Sequence, residues 1–351
     1  MQSIQRRFSS INYFLFATVC LMMTVVAHAS DQDDPFVFAR SHRWVSSVRT
    51  GYENILRITI HDGGDYSFIT QGHRDHKPVW SKERDMITFF RATGPTDMKP
   101  FHLYRTHICV INADGTGFRK LTDAMNPNVN PTWTRDGSNR IIFNRLSKSA
   151  YGICQVYWMT ADAKMNDAQL ISNPDYSEWA ESGLKDGRIF LYRFNANYIE
   201  NSTNPSSAPS ITQSCFLFDP KTKQYYPVER PGKCLTHKLS VSPSETRIVY
   251  MKDLDGSFNT YNDAVIAYAE FDLDNRIVKN ELVISKRDKS HIDMYPRWSY
   301  DERFIIYSSS RGGTMWGMKQ YMYNLDTKET HMISNPHFEI DMYPCFEDLP
   351  K

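Results

Sequence analysis

NPNVNPTWTRDGSNRIIFNR (126–145) sets a pattern that the rest of the chain repeats. It reads as a polar loop, a proline, an aromatic at Trp133, a polar turn and an apolar strand. The same order returns as HRDHKPVWSKERDMITFFR (73–91), NPDYSEWAESGLKDGRIFLYR (173–193), CLTHKLSVSPSETRIVYMK (234–252) and HIDMYPRWSYDERFIIYSS (291–309). A partial copy, IDMYPCF (340–346), repeats the IDMYP of 292–296 and reaches only as far as the aromatic. The marker positions are Trp80, Trp133, Trp179, Val241, Trp298 and Phe346. Their spacing is near the roughly 40–50 residues of a four-stranded propeller blade plus insertions.

Each unit has a second half of two short strands around a polar turn. ICVINADGTGFRKLTD (108–123) is the clearest, with Asp114-Gly115 supplying the positive backbone φ that tight hairpins favour. There are second halves for six blades but complete first halves for five. At the other end of the chain, DDPFVFARS (33–41) reads as a second strand lacking its first. The C-terminal segment is therefore expected to supply the innermost strand of blade one. That closure leaves no open seam between first and last blades.

VNPTWTRDGSNRIIFNR, ICVINADGTGFRKLTD and RWSYDERFIIYSSSRGG resemble the PD40/WD40-like repeats of the TolB-like six-bladed β-propeller family. The likeness covers essentially the whole chain after residue 29. It implies an all-β fold, one six-bladed propeller of four-stranded antiparallel blades. TolB proteins carry an α/β domain before the propeller, whereas blade one here is expected to begin within a few residues of Ser30. Partner binding through such a domain is therefore not carried over.

Composition agrees with a large soluble core. The chain has 351 residues, 41% hydrophobic and 23% charged, with 20 Tyr and 20 Phe that favour sheet. A formal net charge of +1 offers no basic excess for nucleic acid. Residues 1–29 read as a signal peptide. Arg6 and Arg7 precede an apolar run over 13–27, and Ala27-His28-Ala29 gives the small-x-small cleavage pattern. The run is short for a bilayer span, so no stable membrane span is expected after cleavage. The expected product is a single domain, 30–351, in the periplasm or secreted. Of the remaining cysteines, Cys215 and Cys234 are nearest in sequence; most are expected to be buried small hydrophobes. Insertions over 93–106, 195–212 and 253–263 are rich in turn formers and expected at the surface.

The loops before the innermost strands should ring one mouth of the central channel. Counting back seven, five and four residues from each marker places His73, Asp75, His76, His237, His291, Asp293, Glu339 and Asp341 there. These eight are the candidate ligand-binding residues. Two readings stand side by side. In one, Asp and Asn at blade entries hydrogen-bond their own loops and the histidines line solvent. In the other, imidazoles and carboxylates hold a ligand or a divalent metal, as in the oligogalacturonate lyases, which are similar propellers. No G-x-S-x-G elbow, P-loop lysine or calcium-loop spacing occurs. The expected function is a non-catalytic binding scaffold for a protein, peptide or carbohydrate. The alternative is a metal-assisted lyase or hydrolase acting on a sugar polymer, with His76 or His237 as base.

Overall fold

The computed structural model of the protein describes residues 44–49, 56–62, 65–71, 74–81, 85–93, 105–146, 154–194, 213–229, 236–253, 264–286, 291–311, 317–335, 337–338 and 340–346. At 236–237, 253, 340, 342–343 and 345–346 only the backbone is described. All regular elements among these residues are strands, arranged as six four-stranded sheets. Blade one holds β1 (Trp44–Arg49), β2 (Arg57–Asp62) and β3 (Asp65–Phe68). Blade two holds β4 (Arg74–Trp80), β5 (Met86–Ala92), β6 (Thr106–Asn112) and β7 (Arg119–Lys120). Blade three holds β8 (Asn128–Trp133), β9 (Arg140–Leu146), β10 (Cys154–Thr160) and β11 (Gln169–Leu170). Blade four holds β12 (Ser177–Gly183), β13 (Ile189–Phe194), β14 (Gln213–Asp219) and β15 (Gln224–Pro227). Blade five holds β16 (Thr236–Val241), β17 (Arg247–Asp253), β18 (Ala264–Asp272) and β19 (Ile277–Val283). Blade six holds β20 (Asp293–Trp298), β21 (Phe304–Ser309), β22 (Lys319–Asn324) and β23 (Thr330–Met332). The last strand, β24 (Ile340–Phe346), returns to blade one.

Closure runs as the repeat count requires. β24 pairs antiparallel with β1, from Trp44 opposite Phe346 to Arg49 opposite Ile340. The innermost strands β24, β4, β8, β12, β16 and β20 contact one another in that order around the axis. The second strand of blade one is WVSSVR at 44–49, downstream of the 33–41 stretch, which lies outside the described residues, as do residues 1–29. Two serines mask the apolar character of β1. Both are fully buried, and Ser46 shares a hydrogen bond with His61 Nε2 at 2.8 Å.

Blade four corrects the sequence register. In the other described blades the marker faces the first or second apolar residue of the second strand: Trp80 opposite Ile87, Trp133 opposite Ile141, Val241 opposite Ile248 and Trp298 opposite Ile305. In blade four that place belongs to Gly183, opposite Ile189, and Trp179 sits four residues earlier, opposite Tyr192. The reason is steric. A Cβ on Gly183 would lie 2.8 Å from the Trp133 carbonyl oxygen, so the neighbouring blade leaves no room for a side chain. The markers do join blades as expected. Trp133 Nε1 donates to the Val79 carbonyl at 2.9 Å and Trp298 Nε1 to that of Ser240 at 3.1 Å.

Each innermost strand breaks register before its marker. In four of them the third residue back is left-handed: Lys77, Asn130, Lys238 and Tyr295, with φ between 52° and 57°. Such φ values are unfavourable for L-residues and persist only where surrounding pairing enforces them. Here the bulge increases twist and lets six strands close around one axis. Between blades lie apolar clusters. One unites Val45, Ile58, Trp80, Phe89, Trp133 and Phe143 across blades one to three. Burying each large side chain contributes about 1.5–3 kcal/mol.

Candidate functional site

The innermost strands begin at one mouth of the channel, and their first residues come from turns that the bulge pattern positions. Asp341, Asp293 and Asp75 lie on β24, β20 and β4, three adjacent strands of the ring. Asp75 and Asp293 are turned into their own blades, whereas Asp341 of blade one bonds across to blade six. Asp75 is fully buried and takes a two-pronged bond from Arg91, Nε to Oδ1 at 2.6 Å and Nη2 to Oδ2 at 2.9 Å. Asp293, 1% exposed, accepts from Arg311 Nη2 at 2.7 Å. His291 accepts from Arg311 Nε at 3.1 Å through Nε2, which lies 3.7 Å from Asp293 Oδ2, so its proton resides on Nδ1 when neutral. Asp341 accepts from Gln320 Nε2 at 2.7 Å and from Ser334 Oγ at 2.8 Å. Burial nonetheless raises its pKa to about 6, against the opposing hydrogen bonds.

His76 is buried and stacked on Phe90, with ring centroids 5.1 Å apart. Burial, helped by the Arg74 charge, lowers its pKa to about 3. His237 lies on β16 opposite Met251, its side chain outside the description; His73 and Glu339 lie outside the described residues altogether. Cys234 and most of the three insertions lie outside them too. Cys109, Cys154 and Cys215 are buried, and burial pushes the Cys109 thiol up to about 12.

The corrected register reveals a group that the sequence reading missed. Five residues before Gly183 stands Glu178, not Pro174. It is fully buried, bonded to Arg193 Nε and Nη2 at 2.7 Å each and to the Tyr225 hydroxyl at 3.0 Å. Asn128 completes the series, accepting from Arg145 Nε at 2.8 Å. Four blades thus repeat one device: an acid or amide on the innermost strand clamped by an arginine at or just beyond the end of the second strand. The arginines then rest on aromatic rings. Arg145 lies 4.2 Å from the Tyr157 ring centre, Arg193 4.0 Å from Tyr176 and 4.2 Å from Tyr225, and Arg91 4.4 Å from Phe118. The signal was present as the basic residue ending ITFFR, IIFNR and FLYR.

Chemically, this mouth carries charge-assisted bonds within blades two, three, four and six, and Asp341 links blade one to blade six. Among the described residues no three His, Cys, Asp or Glu side chains converge as a metal-ligating group. No described helix is long and apolar enough to cross a membrane.

No protein-family model matches the chain, and no curated protein matches it. Solved structures do. TolB from Acinetobacter baumannii superposes with a TM-score of 0.62 at 13% identity, covering 88% of this chain and 67% of that one. A chain of a nidogen/laminin complex gives 0.57 at 6% identity, covering 87% and 98%. A putative TolB from Agrobacterium tumefaciens gives 0.51 at 10% identity, covering 88% and 91%. At such identities the likeness is one of fold: this chain has the six-bladed β-propeller architecture that TolB shows.

Proposed function

We propose that the protein is a non-catalytic binding scaffold, periplasmic or secreted, that engages a protein, peptide or carbohydrate through the channel mouth and the insertion loops. The observation that carries this reading is the state of the mouth acids. Asp75, Glu178 and Asp293 are held by Arg91, Arg193 and Arg311, and Asp341 by Gln320 and Ser334. Groups so engaged stiffen a rim. A metal-assisted lyase would need the same carboxylates turned outward, with an open coordination position and a positioned base. A TolB and a chain from a nidogen/laminin complex share the architecture. That supports a propeller used for binding, by fold-level analogy.

The test is retention on the immobilised protein. A fractionated cell envelope and a panel of soluble polysaccharides are passed over wild type and over variants with 94–104 or 195–210 replaced by a short Gly-Ser turn. One species is expected to be retained by wild type, lost with one of the shortened loops, and recovered chemically unchanged. Release of shortened sugar chains, or no species whose retention depends on these loops, would overturn the reading.

A further inference from the structure

A second polar feature lies inside the ring, away from the mouth. Two residues before each marker the repeat carries a proline in four blades: Pro78, Pro131, Pro296 and Pro344. Blade five has Leu239 there, and blade four, in its corrected register, has Glu181. An ionisable side chain thus occupies a place that the fold otherwise gives to apolar residues. Glu181 is only 6% exposed. Its Oε2 is buried with no hydrogen-bond partner among the described residues. Buried polar atoms in native proteins are almost always satisfied, and a buried carboxylate is the group least tolerant of being left alone.

Glu181 borders a pocket lined by residues of blades two to six and open on one side, with about 70 Å³ of space for water-sized occupants. The cavity also receives Arg297. One residue before the marker the other described blades carry small side chains, Val79, Thr132, Ser182 and Ser240, so Arg297 is a second departure from the repeat. Among the described residues its one hydrogen bond is from Nη1 to the carbonyl of Pro296, its own neighbour, at 3.1 Å. Arg135 closes one side, already bound to the carbonyls of Ser242 and Pro243 at 3.1 and 3.2 Å and lying 3.8 Å from Glu245.

One lining group therefore wants donors and another wants a planar anion. We propose that the channel binds a small zwitterion of the α-amino-acid class, its ammonium group received by Glu181 and its carboxylate by Arg297. Two guanidinium groups in so small a space oppose a bare metal dication, and the Glu181 carboxylate opposes a simple anion. A zwitterion answers both, and Arg297 offers the paired donors that a carboxylate fits. At about 10–15 Å³ per water-sized occupant, the space suits roughly five such atoms, the size of glycine or a slightly larger amino acid. This site is separate from the mouth proposed above, and either reading can fail alone.

The test is titration calorimetry on the whole protein with glycine and L-alanine, beside acetate and methylammonium as single-ended probes. One amino acid per chain is expected to bind, at least tenfold tighter than either single-ended probe. Glu181→Gln and Arg297→Ser are each expected to weaken it at least tenfold. Unliganded Glu181→Gln should melt no lower than wild type, because it removes a buried charge. Binding unchanged in both variants, acetate binding as tightly as glycine, or no heat from any probe (a water-filled channel) would overturn the proposal. If Glu181→Gln does not fold, Arg297→Ser and the four probes on wild type decide the matter.

Discussion

Asp75 and Asp293 occupy equivalent positions in neighbouring repeats, yet their surroundings differ enough to separate them experimentally. Asp75 is fully buried and Arg91, its partner, has a side chain only 9% exposed. Removing the carboxylate would leave a guanidinium stranded away from water, so Asp75→Ala is expected to lose about 3–5 kcal/mol in urea unfolding. Arg311 is 25% exposed, so water can take over part of its solvation. Asp293→Ala, the same truncation, is therefore expected to lose less, about 1–3 kcal/mol. Equal losses at the two sites would mean that burial does not set the strength of these clamps.

Among the elements, β24 decides whether the ring is a ring. It is the innermost strand of blade one and contacts the innermost strands on either side, β20 and β4. Without it β1 would present a bare edge to the channel, and the fully buried Val45 and Val48 would lose their cover. A chain ending at residue 339 is therefore expected to lose its cooperative unfolding transition, or to melt tens of degrees lower, by near-UV circular dichroism. An unchanged midpoint would show that closure does not contribute to stability. The left-handed residue three before the marker in four blades belongs to the same scale. It is a property of strands bent to surround an axis, not of any one side chain.

For the whole molecule, acid is the condition that opposes folding, and the sign follows from its shifted groups, the buried histidines foremost. His61 stacks on Trp44 with centroids 4.6 Å apart, and His76 on Phe90. Burial lowers both from 6.5 to about 3. Below pH 6.5 the unfolded chain therefore takes up protons that the folded protein refuses. Stability is present above that pH and falls progressively toward pH 3. Asp341 works the other way. Its pKa is raised from 3.8 to about 6, so the stability it contributes is greatest below 3.8 and is lost as pH rises through 6. Glu178, which burial also raises, acts with Asp341, while Asp136, Asp219 and Glu302, whose hydrogen bonds lower them, act with the two histidines, leaving a net loss on acidification. His61→Phe with His76→Phe is expected to flatten the fall in melting temperature between pH 6.5 and 4, and Asp341→Asn to steepen it. A double variant with the wild-type slope would place the acid sensitivity elsewhere.

The propeller was legible in the chain because its signals are local. A strand alternates with period two, a turn needs Gly, Asp or Asn, and these recur about once per blade wherever the blades end up. The return of IDMYP at the C-terminus even announced the closing strand. The register of blade four was not legible. Trp179 is the conspicuous aromatic of that repeat, but the marker position belongs to Gly183, and the cause is a carbonyl of another blade 2.8 Å from where a Cβ would stand. With the register went Glu178 and Glu181, whose roles appear only once strands are paired. The mouth acids were found as residues and not as environments. Whether an aspartate faces solvent or an arginine depends on which side chains the sheet brings opposite it and on how much water the neighbouring blade removes. That is set by packing between segments far apart in sequence, which no local pattern encodes.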